Sequence, residues 1–164
     1  MTGYTKSLQQ ADIFFQFSNE QLDRVSSFCL ERTFDTGNVI FQEGARSDEL
    51  YIIAQGEVEI LVNPSLVSEQ PSQKFNPIPI ATLRQGQSFG EIALVDQGLR
   101  SATAQASQSP TRLLILNKDR LLSLCEEDPS FGYRLMHNLA ADLALKIRST
   151  DLMIREELLY SAKK

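Results

Sequence analysis

Two oppositely charged side chains lie nine residues apart in the middle of the chain, among residue types that suit the binding of an anion. Glu91 directly follows a glycine in Phe89-Gly90-Glu91-Ile92-Ala93-Leu94, and Arg100 opens Arg100-Ser101-Ala102-Thr103-Ala104. Arginine can donate two N–H groups to phosphate oxygens, and a carboxylate can accept hydrogen bonds from sugar hydroxyls. A short helix beginning after Gly90 would add free backbone N–H groups that attract an anion. The pattern therefore predicts a site for a phosphorylated sugar.

Each charged residue also has a purely structural interpretation. Glu91 would stabilise a helix N-terminus by about 0.3–1 kcal/mol. Arg100 would form an ion pair with that carboxylate across the turn that contains Asp96-Gln97-Gly98. Taken one at a time, these structural roles are the simpler ones, so the hypothesis of a ligand site depends on the whole pattern.

The composition limits the kinds of partner that the chain can bind. Its 164 residues are ordinary for one globular domain, and the formal net charge is −5 with a pI near 4.9. An acidic chain is poorly suited to broad contact with nucleic acid, so local positive groups must hold an anionic ligand. The sequence has no apolar run near the roughly 18 residues of a membrane span and no secretory signal pattern. We expect a cytoplasmic protein that itself contacts neither DNA nor membrane.

Few residues suit catalysis or metal binding. His137 is the only histidine, and no cysteine lies at metal-ligand spacing from it. The sequence contains no nucleophile elbow, phosphate-binding Gly-Lys-Ser loop or zinc-peptidase motif. Cys29 and Cys125, both in apolar contexts typical of helices, are predicted to be buried thiols. We therefore expect no enzyme activity, no metal and no cofactor.

Apolar residues recur with a period near two between residues 31 and 116, which is typical of β-strands. The glycines at positions 37, 44, 56, 86 and 98 separate several of these segments, which predicts an antiparallel barrel or jelly roll. Gly56-Glu57 is predicted to form a hairpin turn. Residues 63–79, rich in proline and polar residues, are predicted to be a mobile loop that a partner could contact. The predicted strands are residues 39–41, 50–53, 58–62, 80–83, 102–104 and 112–116.

Helical signals flank the predicted barrel. Residues 1–7 are predicted to be a loose end, and residues 8–30 to form short helices. Ser18 and Gln21 have the spacing of a capping box, which would open a helix with its apolar face on Leu22, Val25, Phe28 and Cys29. Asn117 would cap a further helix after the barrel, and Asp128-Pro129 would start a long helix that extends to about residue 160.

The long helix has apolar residues on two sides. One side is predicted to cover the barrel and comprises Met136, Leu139, Leu143, Ile147, Ile154 and Leu158. The other comprises Leu145, Leu152 and Leu159, whose seven-residue spacing is that of a coiled-coil seam. The second side predicts a possible homodimer, and the alternative is that both sides pack on parts of one domain.

The segment from Phe89 to Thr103 resembles the phosphate-binding cassette of the cyclic nucleotide-binding domain family. That family includes bacterial cAMP receptor proteins, regulatory subunits of cyclic-nucleotide-dependent kinases, and gated channels. The resemblance covers about residues 8–160. A bare glycine motif would be weak support, whereas this order and spacing is specific. Upstream, the resemblance includes Gly37, Ile40-Phe41-Gln42-Glu43-Gly44, Asp48, Tyr51-Ile52-Ile53, Gly56 and Gly86.

The resemblance implies a role for each residue of the candidate site. It places Glu91 on the ribose 2′-hydroxyl and Arg100 on the cyclic phosphate, while Ser101 adds its N–H and hydroxyl groups. Leu99 departs from the proline that many members have before the arginine, but this change removes no ligand group. Lys146, Ser149 and Thr150 are candidates for contact with the base. The remaining candidate ligand-binding residues are Phe89, Gly90, Ile92 and Ala93, the last three through backbone groups around the phosphate.

Together these observations predict a single α+β, mainly β, domain over residues 1–164. The predicted fold is an antiparallel jelly-roll-like β-barrel (residues 31–116, with the cassette at 89–103) flanked by N-terminal helices and by C-terminal helices (117–160), the last of which is long. The resemblance implies a stand-alone sensor that binds cAMP more readily than cGMP and regulates a downstream protein by moving its C-terminal helix. The alternatives are a nucleotide-independent interaction module of the same fold, and the input domain of a transcription regulator without its DNA-binding part.

Overall fold

Two four-stranded antiparallel sheets face each other in the computed structural model, which describes residues 3–46, 48–66, 76–96 and 98–162. The first sheet has the order β1-β8-β3-β6 and the second β2-β7-β4-β5. The arrangement confirms the predicted jelly-roll-like architecture, although the two sheets do not close into one barrel. The strands are β1 (Leu30–Phe34), β2 (Val39–Phe41), β3 (Glu49–Gln55), β4 (Glu57–Val62), β5 (Ile78–Arg84), β6 (Ser88–Phe89), β7 (Thr103–Ala106) and β8 (Thr111–Asn117).

Alternate residues of the central strands belong to two separate cores. Successive side chains of a strand point to opposite faces of the sheet. From β3, Tyr51 and Ile53 enter the core between the sheets, while Leu50 and Ile52 enter the core beneath the helices. Both faces of β3 are therefore buried, which explains why this strand is a continuous apolar run.

Helices cover the outer face of the first sheet. They are α1 (Thr5–Gln9), α2 (Asn19–Ser26), α3 (Ile92–Val95), α4 (Lys118–Glu127) and α5 (Pro129–Ser161). The predicted caps are present: Ser18 and Gln21 form the capping box of α2, and the Asn117 side chain accepts from the Arg120 N–H. Asp128 accepts from the N–H groups of Ser130 and Phe131 at the start of α5. None of the described helices has both the length and the apolar character needed to cross a bilayer.

The N-terminal predictions need correction. Residues 5–7 are not a loose end, because α1 begins at Thr5 and that threonine is fully buried. The short helix expected from Leu8 is divided, because α1 ends at Gln9 and a separate 3-10 helix follows at Asp12–Phe14. Helix α2 ends at Ser26, so Phe28 and Cys29 lie beyond it. Cys29 is nevertheless buried and Cys125 half-buried, and both thiols are free.

Gly56 does not form a hairpin turn. The strands on its two sides, β3 and β4, belong to different sheets and are not paired with each other. Gly56 has φ +89°, and a Cβ at that position would lie 2.4 Å from Thr111 Oγ1. The glycine therefore lets the chain cross closely between the sheets. The predicted mobile loop at 63–79 lies mostly outside the described residues, but β5 already begins at Ile78 and pairs with β4.

Only the first half of α5 covers the domain. Phe131, Leu135 and Leu139 are fully buried, and Met136 packs partly buried against the same core. From Ile147 to Ala162 every residue is exposed, including Ile154 and Leu158, which were predicted to face the barrel. The reason is geometric, because the helix extends past the packed elements. The exposed seam of Leu145, Leu152 and Leu159 lies mainly on this free half.

Candidate functional site

The candidate site lies where the short strand β6 runs into α3. Between them Gly90 has φ +80°, a conformation that side-chain-bearing residues rarely adopt. A Cβ at Gly90 would lie 2.5 Å from Arg100 Nη1 and 3.1 Å from the Glu49 carbonyl oxygen. Glycine is therefore required at this position both by its backbone and by the close approach of the arginine.

Arg100 is buried, with 6% of its surface exposed. Its backbone is fixed by the loop after β2, because the Arg100 N–H donates to the Ala45 carbonyl at 2.9 Å and its carbonyl accepts from the Gly44 N–H at 2.8 Å. Its guanidinium donates from Nη1 to the Gly90 carbonyl at 3.1 Å and from Nη2 to the Glu49 carbonyl at 2.7 Å. The side chain thus points into the protein, against the edge of the cassette.

Aromatic rings surround the guanidinium. Its Cζ lies 4.1 Å from the centroid of the Phe41 ring and 5.5 Å from that of Tyr51, distances at which a cation is attracted to a ring face. Tyr51 in turn stacks on Phe89, with centroids 5.1 Å apart. Burial lowers the pKa of Arg100, while Tyr51, Glu49 and Glu91 act in the opposite direction. The environment withdraws the cation from water and leaves it suited to an anionic partner.

Glu91 is equally buried, at 6% exposure, and contacts the long helix. Lys146 of α5 places its Nζ 3.0 Å from Glu91 Oε1. The same Nζ donates to the Ser88 carbonyl at 2.9 Å and lies 2.7 Å from Asp142 Oδ2, one turn back on α5. The carboxylate predicted to accept a sugar hydroxyl is therefore already engaged by a cation of the same chain.

The structure brings together most of the predicted site residues. Phe89 is buried against Tyr51, Gly90 contacts Arg100, and Ile92 is half-buried at the start of α3, which also contains Ala93. Ser101 is exposed beside the arginine. In the turn that connects the two halves of the cassette, Gln97 lies outside the described residues.

Of the candidates on α5, only Lys146 reaches the cassette among the described contacts. The hydroxyls of Ser149 and Thr150 donate to backbone carbonyls one turn earlier in their own helix, at 3.1 Å and 3.0 Å. Hydroxyl groups often form such bonds within helices. These two residues therefore have no described contact that would support a role in reading a base.

Sequence reasoning missed the residues that hold the arginine. Phe41 and Tyr51 provide its aromatic walls, and Glu49 acts through its main-chain carbonyl. A backbone acceptor has no sequence signature, so the last contact could not be predicted. Phe41 and Tyr51 both lie in the upstream segments that resemble the family. Two bulky aromatic residues on neighbouring predicted strands were the signal that could have identified them.

A separate polar groove of about 440 Å³ lies between α2 and the start of α5. Arg24 and Arg134 line it, but Arg24 pairs with Glu127 and Arg134 donates to Gln16. The groove shares none of its lining residues with the candidate site. Among the residues that the structure describes, no group of three or more His, Cys, Asp or Glu side chains is placed to hold a metal ion.

Comparison with known proteins gives consistent matches. The chain is 32% identical over 145 residues, 88% of its length, to the cyclic AMP receptor protein of Thermus thermophilus. It is 26% identical over 117 residues to the cAMP-dependent protein kinase regulatory subunit of Schizosaccharomyces pombe. The matches span 61% of the first relative and 25% of the second, so both are longer proteins.

Solved structures show the same fold. A cyclic nucleotide-binding domain from Methylobacillus flagellatus superposes with a TM-score of 0.77 at 25% identity, covering 94% of this chain and 86% of that one. The catabolite activator protein of Thermus thermophilus gives a TM-score of 0.70 at 31% identity, covering 92% and 63%. The family model for the cyclic nucleotide-binding domain matches residues 31–128, more than half of the chain. This protein therefore belongs to the cyclic nucleotide-binding domain family.

Proposed function

We propose that this chain binds a cyclic nucleoside monophosphate at the site formed by Glu91 and Arg100, with cAMP preferred over cGMP. The observation that carries the proposal is the burial of these two opposite charges on either side of Gly90, each with 6% of its surface exposed. Buried charges are costly unless they are paired or serve a ligand. The relative at 32% identity, which is named for cyclic AMP, supports the choice of ligand.

The chemistry of Arg100 suits a cyclic phosphate. Two of its hydrogen bonds go to neutral acceptors, the carbonyls of Gly90 and Glu49. A phosphodiester offers anionic oxygens, which accept stronger hydrogen bonds, and its single negative charge matches one guanidinium. If the guanidinium donates to phosphate oxygens instead of to these carbonyls, the nucleotide-bound state of the protein is therefore favoured. In this proposal Glu91 accepts from the ribose 2′-hydroxyl, and Ser101, exposed beside the arginine, adds its N–H and hydroxyl.

The signal would leave the domain through α5. This helix contacts the cassette through Lys146 and then continues as an exposed segment from Ile147 to Ala162. The apolar seam of Leu145, Leu152 and Leu159, which lies mainly on that segment, is a suitable surface for a homodimer or for a downstream protein. We propose that ligand binding changes the position of α5 and thereby the contacts of this segment, within a cytoplasmic regulator.

Isothermal titration of cAMP and cGMP tests the binding proposal. We expect heat with the wild type and a tighter Kd for cAMP. Arg100→Leu should weaken binding by about 2–5 kcal/mol, or at least roughly 30-fold, because the phosphate would be left partly desolvated without its cation. Arg148→Leu is the matched control, since Arg148 is exposed on α5. Arg100→Lys keeps the positive charge but cannot donate two parallel N–H groups to the phosphate. It replaces the leucine variant in this test if that variant does not fold. Absence of heat with both nucleotides would refute the proposal.

One observation favours a second function, a nucleotide-independent interaction module. Glu91 and Arg100 both have partners within the chain, and the second half of α5 exposes a large apolar surface. Light scattering with and without nucleotide separates the two functions. If the molar mass is the same with and without nucleotide, and nucleotide does not raise the Tm, the interaction module is favoured. The chain would also suit the input domain of a longer transcription regulator, since it spans only 61% of its Thermus relative.

A further inference from the structure

The ammonium group of Lys146 is held by three oxygens from two parts of the fold. The Ser88 carbonyl and Glu91 Oε1 belong to the cassette, at 2.9 Å and 3.0 Å, and Asp142 Oδ2 belongs to α5, at 2.7 Å. A lysine ammonium has three N–H donors. Two hydrogen bonds to the cassette and one ion pair within α5 make Lys146 the polar link between the long helix and the cassette.

The link is shielded from water. The side chains of Lys146, Glu91 and Asp142 are 29%, 7% and 13% exposed. Ion pairs that are partly withdrawn from water are screened less by salt than fully exposed ones. A ligand that needs Glu91 therefore meets a carboxylate whose Oε1 already faces a cation.

Lys146 can leave Glu91 without losing all its partners. Asp142 lies four residues earlier on the same helix, so the Lys146–Asp142 pair moves with α5 as one unit. The other two acceptors stay with the cassette. Separation would thus exchange one ion pair and one carbonyl contact for water, while the ammonium keeps a carboxylate beside it.

We propose that Lys146 competes with the ligand's ribose hydroxyl for Glu91 and so sets the affinity of the site. This inference rests on the proposed function, in which Glu91 accepts that hydroxyl. Binding replaces the charged donor of Lys146 with a neutral hydroxyl at the carboxylate and frees α5 from the cassette at this point. Lys146 is therefore an internal competitor and not a ligand contact.

A ligand without the ribose 2′-hydroxyl distinguishes competition for Glu91 from other effects of replacing Lys146. We would titrate cAMP and 2′-deoxy-cAMP into the wild type, Lys146→Met and Arg148→Met. Arg148→Met removes the same charge from the same helix at an exposed position. Lys146→Met should tighten cAMP binding by about three- to fivefold, the upper part of the range expected for one ion pair. It should change 2′-deoxy-cAMP binding less than about twofold, and the control should change neither.

Two results would overturn the inference in different ways. If Lys146→Met weakens cAMP binding or leaves the ratio of the two affinities unchanged, Lys146 positions Glu91 or contacts the ligand, and the proposed function still stands. If no variant binds either nucleotide while the wild type also fails, the proposed function falls with it. Lys146→Gln, which keeps a polar group without the charge, gives the same comparison if the methionine variant does not fold.

Discussion

Gly90→Ala tests the geometry of the site without changing a charge. The new Cβ would sit at φ +80° and 2.5 Å from Arg100 Nη1, too close for the guanidinium to stay where it is. A left-handed backbone costs an alanine about 1–2 kcal/mol. Displacement of Nη1 from the Gly90 carbonyl would remove a charge-assisted hydrogen bond, about 1.5–3 kcal/mol. We therefore expect a total loss of about 2.5–5 kcal/mol in the free energy of unfolding.

Gly37→Ala is the matched control for this prediction. Gly37 has φ +88°, but a Cβ there would meet only Gln105 Nε2, at an ordinary 3.9 Å. Gly37→Ala should lower the free energy of unfolding by only about 1–2 kcal/mol, the contribution of the left-handed backbone alone. Urea unfolding of both variants, with equal m-values, measures the difference. If the two substitutions cost the same within about 0.5 kcal/mol, the guanidinium does not occupy the position described, and the account of the site is wrong.

Two further predictions concern groups with shifted pKa values. Hydrogen bonds from Ser130, Phe131 and Gln21 lower the pKa of Asp128 from 3.8 to about 2, so its stabilising effect is present above pH 4 and lost as the pH falls towards 2. The gap in Tm between the wild type and Asp128→Ala should therefore close over that interval, and a constant gap would contradict the cap. Burial raises the pKa of Cys29 to about 12, so in a Cys125→Ser background Ellman's reagent should label Cys29 at pH 8 only after unfolding. Labelling of the native variant at the rate of a free thiol would show that Cys29 is accessible.

Local signals in the sequence predicted local structure well. The caps at Ser18, Asn117 and Asp128 depend on residues two or three positions apart, and all three form as expected. The strands of the two sheets were mostly found by their apolar alternation. Strands β1 and β6 were both missed. β1 (Leu30–Phe34) has no fully buried residue and so no apolar alternation, and β6 has only two residues, Ser88–Phe89, too few to show a period.

Predictions that depended on distant contacts were less successful. Apolar alternation predicts which face of a strand is buried, but not which sheet the strand joins. Gly56 was therefore predicted to form a hairpin turn, whereas the chain crosses there from one sheet to the other. The pair of Glu91 and Lys146 joins residues 55 positions apart. Nothing near either residue indicates this contact. The apolar residues in the second half of α5 were also predicted to pack on the barrel, because an apolar stripe does not show where the surface that it packs against ends.

The anchoring of α5 at Lys146 has a mechanical consequence. Fifteen residues separate Lys146 from the last residue of this helix, Ser161, so at 1.5 Å per residue a lever of roughly 22 Å extends from the anchor. A tilt of about 10° at the anchor would carry the tip about 4 Å, roughly three quarters of the 5.4 Å rise of one helical turn. A small tilt beside Glu91 would therefore displace the far end of the helix by several times as much as the residues next to the anchor.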